Sequence, residues 1–182
     1  MTWTIDPSHS QLGFSVRHMG LSTVRGRFTR FTGSIELEVN DEPAAIAVDV
    51  ETASITTDAA DRDAHLRSGD FFEADAHPTI TFRSTAFRPK GDRYEIEGDL
   101  TMRGVTRRVV LDAELGPIIN DPFGMQRRGA VGHARINRKD WGLTWNQVLE
   151  AGSLLVGEEV TLSIDVQVTA ARTDRPAEAA LA

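Results

Sequence analysis

The sequence predicts an all-β fold with antiparallel strands, and three observations carry that reading. Apolar and polar residues alternate with a period of two through most of the chain, turn residues separate the alternating runs, and only one short stretch carries helical signals. Strands with one apolar and one polar face can bury the apolar face as a two-sheet sandwich or as a closed barrel. Periodicity alone does not choose between the two.

The elements follow in order. Leu12, Phe14, Val16 and His18 share one face of a strand, with Ser15 and Arg17 opposite. Val24, Gly26 and Phe28 continue on even numbers, whereas Gly33, Ile35, Leu37 and Val39 take odd ones, so a bulge or tight turn is expected within 29–32. Ile46, Val48 and Val50 make another face, and Ile80, Phe82 and Ser84 one more. Between Tyr94 and Met102 the acids hold the odd positions, while Ile96, Gly98, Leu100 and Met102 hold the even ones. Arg103-Gly104 then reads as a tight hairpin turn, after which Val109, Leu111 and Ala113 resume the apolar face on odd numbers. A weaker run places the small residues Ala130, Gly132 and Ala134 ahead of Ile136, and the cleanest run carries Val160, Leu162, Ile164, Val166 and Val168. The small residues on these faces, with Gly13, Gly26 and Gly98, argue against a wholly filled interior.

Residues 62–72, RDAHLRSGDFF, are the exception to the β pattern and the densest cluster of charge. A helix is expected over about 59–68, with Asp58 as its N-cap, Asp61 reaching back as a capping-box residue and Gly69 ending it. Asp58 with Arg62, and Asp63 with Arg67, have the i,i+4 spacing of ion pairs, which accounts for most of the charge without catalysis. The rival reading makes His65 a general base oriented by Asp61, but the stretch has no neighbouring nucleophile and no histidine at i±4 to share a metal. Phe71 and Phe72 are expected to anchor the helix to an apolar wall.

Composition excludes several function classes. A chain of 182 residues with 40% hydrophobic and 26% charged residues has the make-up of one folded domain, and it has no apolar run long enough to insert stably in a membrane. A net charge of −7 opposes a nucleic-acid footprint. The absence of cysteine rules out disulfides, thiolate nucleophiles and cysteine metal sites. The opening MTWTIDPSHS lacks the charged and apolar regions of a secretory signal, so a cytoplasmic location is expected. The domain is expected over 1–171, with 172–182 a disordered tail of small and polar residues.

The remaining polar clusters have simple structural readings. Asp6-Pro7-Ser8-His9-Ser10 is expected to be a turn between strands and not a Ser/His catalytic pair. Five dispersed histidines show no metal-ligand spacing, and no HExxH, GxSxG, P-loop or GxGxxG occurs. Residues 137–146 hold two of the three tryptophans, Trp141 and Trp145, as a core plug or an aromatic lip for an apolar ligand.

Taken together, several stretches resemble the YceI-like family of polyisoprenoid-binding proteins. They are Asp6-Pro-Ser-His9-Ser10, Phe14-Ser-Val16-Arg-His18-Met, Val24-Arg-Gly26-Arg-Phe28, Arg62-Asp63-Ala-His65-Leu66, Asp70-Phe71-Phe72, Pro78-Thr-Ile80-Thr-Phe82, the run from Gly98 to Thr106, and Arg138-Lys-Asp140-Trp-Gly142-Leu143. The likeness runs from about Trp3 to Val168. It implies a lipocalin-like antiparallel eight-stranded barrel with a short helix near one end, an apolar tunnel holding an isoprenoid, and a homodimer. Many family members carry a secretory signal, and the family often has phenylalanine where Trp141 stands.

With that likeness, the expected function is to bind and sequester or carry a long-chain isoprenoid or similar amphiphile, such as an isoprenoid quinone or a prenyl pyrophosphate. No catalysis, metal or further cofactor is expected. The alternatives are an enzyme using His9, His18 or His65 as base on an apolar substrate, and a filled barrel acting as an interaction module. The expected ligand-binding residues are the inward set Leu12, Phe14, Val16, Phe28, Ile35, Leu37, Val48, Phe82, Ile96, Leu100, Met102, Val109, Leu111, Ile136, Leu162 and Ile164, with Trp141 and Trp145 at a lip. His18 and Arg30 are expected to mark opposite tunnel mouths, with Arg30 favoured for a phosphate head group.

Overall fold

A computed structural model of the chain describes residues 1–150 and 152–171; the tail expected to be disordered lies outside the described residues. Among those residues there are eleven strands: β1 (Thr2–Ile5), β2 (Gln11–His18), β3 (Ser22–Phe28), β4 (Phe31–Leu37), β5 (Pro43–Glu51), β6 (Ile55–Thr56), β7 (Thr79–Lys90), β8 (Arg93–Met102), β9 (Val105–Asn120), β10 (Met125–Asn137) and β11 (Val156–Ala171). One helix, α1 (Ala60–Arg67), follows β6. All strand pairs are antiparallel, and β1 bonds both β4 and β11, so the eight strands β1-β4-β5-β7-β8-β9-β10-β11 close into a barrel. The choice that periodicity left open is settled in favour of the barrel.

Closure depends on how β1 and β2 share one neighbour. β2 pairs with β11 from His18↔Val156 to Gln11↔Asp165, and β1 takes over at Ile5↔Val168. Between them Pro7–His9 form a single 3-10 turn, whose Asp6 side chain accepts from the Ser8 N–H at 3.1 Å. This is the Asp-Pro-Ser-His stretch acting as a corner, as its turn chemistry implied. The Asp6 N–H donates to the Gln167 carbonyl at 2.8 Å and the Gln167 N–H to Ser10 Oγ at 3.0 Å, which ties the corner to β11.

The parity switch after Phe28 has a related cause. β3 pairs with β2 and β6, whereas β4 pairs with β1 and β5, so the chain changes neighbours across Thr29 and Arg30. It is a corner between strands, with no extra residue inserted in one ladder. Arg103 and Gly104 have φ of 47° and 71°, the two positive values of a type I′ hairpin turn, and Met102 pairs with Val105 across it.

The helix differs from expectation at its start and in its charge pairing. Asp58 does not cap it: Ala59 holds the N-cap position with no side-chain bond, and Asp58 instead pairs with Arg27 on β3 at 2.9 and 3.0 Å. Nor do the i,i+4 pairs form as hydrogen-bonded bridges. Arg62 donates to Thr57 Oγ1 and to its carbonyl, and Arg67 to the carbonyls of Ala53 and Ile55. Asp63 is buried and accepts from the Thr57 N–H at 2.7 Å, Thr57 Oγ1 at 2.6 Å and Thr56 Oγ1 at 2.8 Å. The preceding strand end, and not the helix surface, satisfies these charges.

The core is one contiguous cluster that reaches both ends of the barrel. Trp3, Ile5, Ile35, Leu37, Val168 and Ala170 pack at the end that carries the turns 38–42 and 121–124. Phe71, Ile80, Met102, Val109, Trp141 and Leu143 pack at the other, beneath α1 and the 103–104 turn.

Candidate ligand-binding cavity

The alternation that builds the strands also builds the site. Because successive side chains point to opposite faces, a closed barrel with apolar inner faces encloses a greasy lumen unless its side chains fill it. Here a cavity of about 170 Å³ remains. Its lining side chains are apolar apart from Ser163, which is itself exposed, and no titratable residue lies among them.

Glycine positions shape the lumen in a way that the sequence reading got half right. Gly26 pairs with Phe14 across β2 and β3, and a Cβ on Gly26 would collide with the Phe14 ring at 2.3 Å. A Cβ on Gly98, which pairs with Ser84, would likewise come within 2.3 Å of the ring of Phe82, two residues along the neighbouring β7. The space is therefore not left empty by these glycines. Each lets an aromatic ring lie against the wall over a missing side chain, which takes the ring's bulk out of the middle of the lumen.

Most of the expected residues come together on this wall. Leu12, Phe14, Phe28, Ile35, Val48, Phe82, Ile96, Leu100, Met102, Val109, Leu111, Leu162 and Ile164 all line the cavity. Ile5, Ile46, Val50, Ile80, Ala113, Leu115, Ala130 and Val166 also line it, and parity alone could have included them. Leu37 and Ile136 are buried in the core beyond the lining, and Val16 is half-buried between Val24 and Val160.

The aromatic pair belongs to a plug at the helix end. Trp141 is 2% exposed and donates its indole N–H to the Leu100 carbonyl at 3.0 Å, and Leu100 lines the cavity. Trp145 packs against Phe71 with ring centroids 5.3 Å apart, and Phe72 meets the cavity-lining Phe28 edge to face at 6.0 Å. Arg138, 5% exposed, lies over Phe71 and donates to the carbonyls of Leu143, Gly157 and Val156. Burial pulls its guanidinium below the ordinary value, while Glu158 pushes the other way. Trp141 and Trp145 are thus part of the plug and do not themselves line the cavity.

The two proposed mouth residues are placed elsewhere. Arg30 points to solvent, 60% exposed, with both donors on Glu51 at 2.5 Å. It stands in the corner between β3 and β4, outside the cavity lining. His18 is half-buried at the end of β2, beside Ser22 and Val156 and outside the lining.

The histidines offered as bases stand away from the cavity. His9 bonds Asp6 at 2.8 Å on the exposed corner turn; the hydrogen bonds from Ser8 and His9 hold the Asp6 carboxyl well below the usual range. His65 meets Asp70 at 2.8 Å and stands edge-on to Trp145 and Phe71 at 4.6 and 5.1 Å. Neither His9, His18 nor His65 lines the cavity. No metal-holding cluster of acidic or histidine side chains occurs among the described residues.

Known proteins share this architecture and much of this sequence. A UPF0312 protein of Vibrio cholerae is 38% identical over 148 residues, which cover 80% of this chain and 77% of that one. A UPF0312 protein of Pseudomonas paraeruginosa is 38% identical over 158 residues, covering 86% and 81%. Among solved structures, the YceI protein of Campylobacter jejuni matches with a TM-score of 0.73 and 26% identity, over 86% of this chain and 90% of that one. A polyisoprenoid-binding domain from Saccharophagus degradans has the same fold, with a TM-score of 0.67 at 14% identity over 92% of this chain and 98% of its own. Residues 3–168 match the family model of the YceI-like domain, and the chain belongs to that family.

Proposed function

We propose that the protein binds an isoprenoid, or a similar amphiphile with a thin apolar tail, inside the barrel and so sequesters or carries it. The observation that carries this reading is the cavity wall, which offers carbon from many strands and no titratable group. Such a wall selects by shape. At about 0.8 kcal/mol per buried CH₂, a tail of a dozen carbons contributes on the order of 10 kcal/mol, comparable to the cost of association. The cavity, at about 170 Å³, is smaller than the ~300–1,000 Å³ of ordinary small-molecule pockets, which favours a flexible chain over a bulky ring system. The polyisoprenoid-binding domain of Saccharophagus degradans supports the same ligand class by likeness of fold. A homodimer and a cytoplasmic location, with no chemical turnover, belong to the same proposal.

Organic extraction of the purified protein, followed by mass spectrometry, tests it. An isoprenoid or other long-chain lipid near one per chain is expected. A protein that carries no lipid and takes up none of a panel of isoprenoids from detergent would overturn it, leaving a filled barrel that serves as an interaction module.

A further inference from the structure

The hairpin of β2 and β3 differs in charge from the rest of the molecule. Residues 11–28 hold Arg17, Arg25 and Arg27 and no aspartate or glutamate, in a chain whose net charge is −7. Arg27 is paired with Asp58, whereas Arg17 and Arg25 form no ion pair among the described residues. Arg17 donates to the carbonyls of Gly20 and Leu21 at 2.7 and 3.3 Å, which braces the hairpin tip.

That tip is apolar and joins a second apolar tip. Leu21 is 80% exposed with Met19 beside it, and the Met19 N–H donates to the Leu155 carbonyl at 2.8 Å, where Val148, 72% exposed, pairs with Leu154. Behind the tips the inner face of the strands runs on to the lumen. Val16 pairs with Val24 and with Val160, and one step further in Phe14, Phe28 and Leu162 line the cavity or border its lining wall. We propose that this end docks on a phospholipid bilayer containing anionic lipids. Met19, Leu21, Val148 and Leu154 enter the acyl boundary, and Arg17 and Arg25, on the outward parity of the hairpin, meet the lipid phosphates. The proposal extends the binding function above by naming the source of the ligand, since a long apolar tail is drawn from a bilayer and not from water.

The opposite end of the barrel has exposed apolar residues without the matching charge. Phe123 and Val39 are each 86% exposed, but the turn around Val39 carries Glu36, Glu38, Asp41 and Glu42. Arg127 is paired there with Asp121 and Asp6, which leaves Arg128 against the four acids. Anionic head groups are repelled by such a surface. At the helix end, Asp61, Asp75, Asp140 and Glu150 stand outside the hairpin without an ion pair among the described residues. The attraction therefore belongs to the hairpin, and the molecule meets the bilayer on its β2–β3 side.

The test is co-sedimentation of the full chain with phosphatidylcholine vesicles, with and without phosphatidylglycerol. The wild type is expected to bind the phosphatidylglycerol vesicles more tightly and to be released by salt. Leu21→Ser should weaken that binding by about tenfold or more, the worth of one buried leucine side chain. Arg25→Ala should weaken it about fivefold and reduce its salt dependence. Phe123→Ser, at the opposite end, should leave it within about twofold of wild type. The proposal is overturned if the wild type ignores both vesicles, if both bind it alike, or if Phe123→Ser matters and Leu21→Ser does not. If vesicles are ignored and Leu21→Ser splits a wild-type dimer into monomers, the patch is a contact between two copies and the proposal falls. Docking is read here without a ligand, so a lumen that takes up no isoprenoid would sink the binding function and leave this result standing.

Discussion

The wall of the lumen and the plug at its helix end are built by different chemistry. On the wall, apolar side chains repeat every second residue and the backbone ladder satisfies every strand, so the interior needs no polar side chain. In the plug the backbone is irregular, and its carbonyls are satisfied by long cationic side chains: Arg67 on Ala53 and Ile55, Arg103 on Gly142 and Gly69, Arg138 on Leu143, Gly157 and Val156. The contrast teaches that a dense charge cluster beside an apolar cavity can be the scaffold of a lid. RDAHLRSGD looks like a catalytic cluster because irregular backbone and active sites both demand polar side chains.

The sharpest way to break the contrast is to remove the plug's buried acid. Asp63→Ala leaves the Thr57 N–H and two threonine hydroxyls without their acceptor, and a loss of about 2–4 kcal/mol is expected in the unfolding free energy from denaturant titration. A loss below about 0.5 kcal/mol would show that the plug does not depend on it. The same carboxyl gives a pH signature. Burial pushes it up, but the hydrogen bonds from Thr57 and Thr56, with the charge of Arg67, outweigh burial and hold it below its ordinary value. A folded value below the unfolded one contributes stability at and above the unfolded value of about 3.9, and loses it as pH falls toward and through the folded value. Wild type should therefore lose more stability than Asp63→Asn as pH drops below about 4.

A smaller effect is expected on the wall. In Gly98→Ala the new methyl collides with the Phe82 ring and approaches the Arg83 carbonyl at 2.8 Å, so the ring must swing into the lumen. Overpacking of this kind costs about 1–3 kcal/mol, and uptake of a long isoprenoid should fall with it. If stability drops while uptake stays unchanged, Phe82 has relaxed elsewhere and the ring does not limit the space.

The smallest effect belongs to the surface. Arg30→Ala removes an exposed ion pair with Glu51, and no measurable change is expected in isoprenoid affinity or in the melting midpoint. A selective loss of prenyl pyrophosphate binding would assign the head group to Arg30.

The wall was legible in the sequence because period two is a property of residues near one another: Phe14, Phe28, Phe82 and Ile164 could be placed from their neighbours alone. What parity could not show was depth along the barrel. Leu37 and Ile136 have the right face but stand past the lining, and Trp3 was overlooked because its strand shows only two inward positions. The turn within 29–32 was legible from the parity switch, but parity could not show which way Arg30 leaves that corner, and its partner Glu51 lies 21 residues on. The plug was the least legible part, since Asp58 bonding Arg27 and Asp63 bonding Thr57 depend on which strand end lies beside the helix.

The pairing of β1 with β11 has a consequence for how the molecule comes into being. Ile5 meets Val168, so the ring joins residues near the two extremes of the described chain. Contacts of such sequence separation form late and slow folding, because the whole intervening loop must be ordered before they are made. On the ribosome, β1 waits with its ladder groups unpaired on the β11 side until Val168 and Thr169 have emerged. The greasy inner faces of the other strands stay accessible for that time. Under the proposed function, a lipid could enter the lumen before the ring closes, and one that fills the forming lumen would act as a template for closure as well as a cargo.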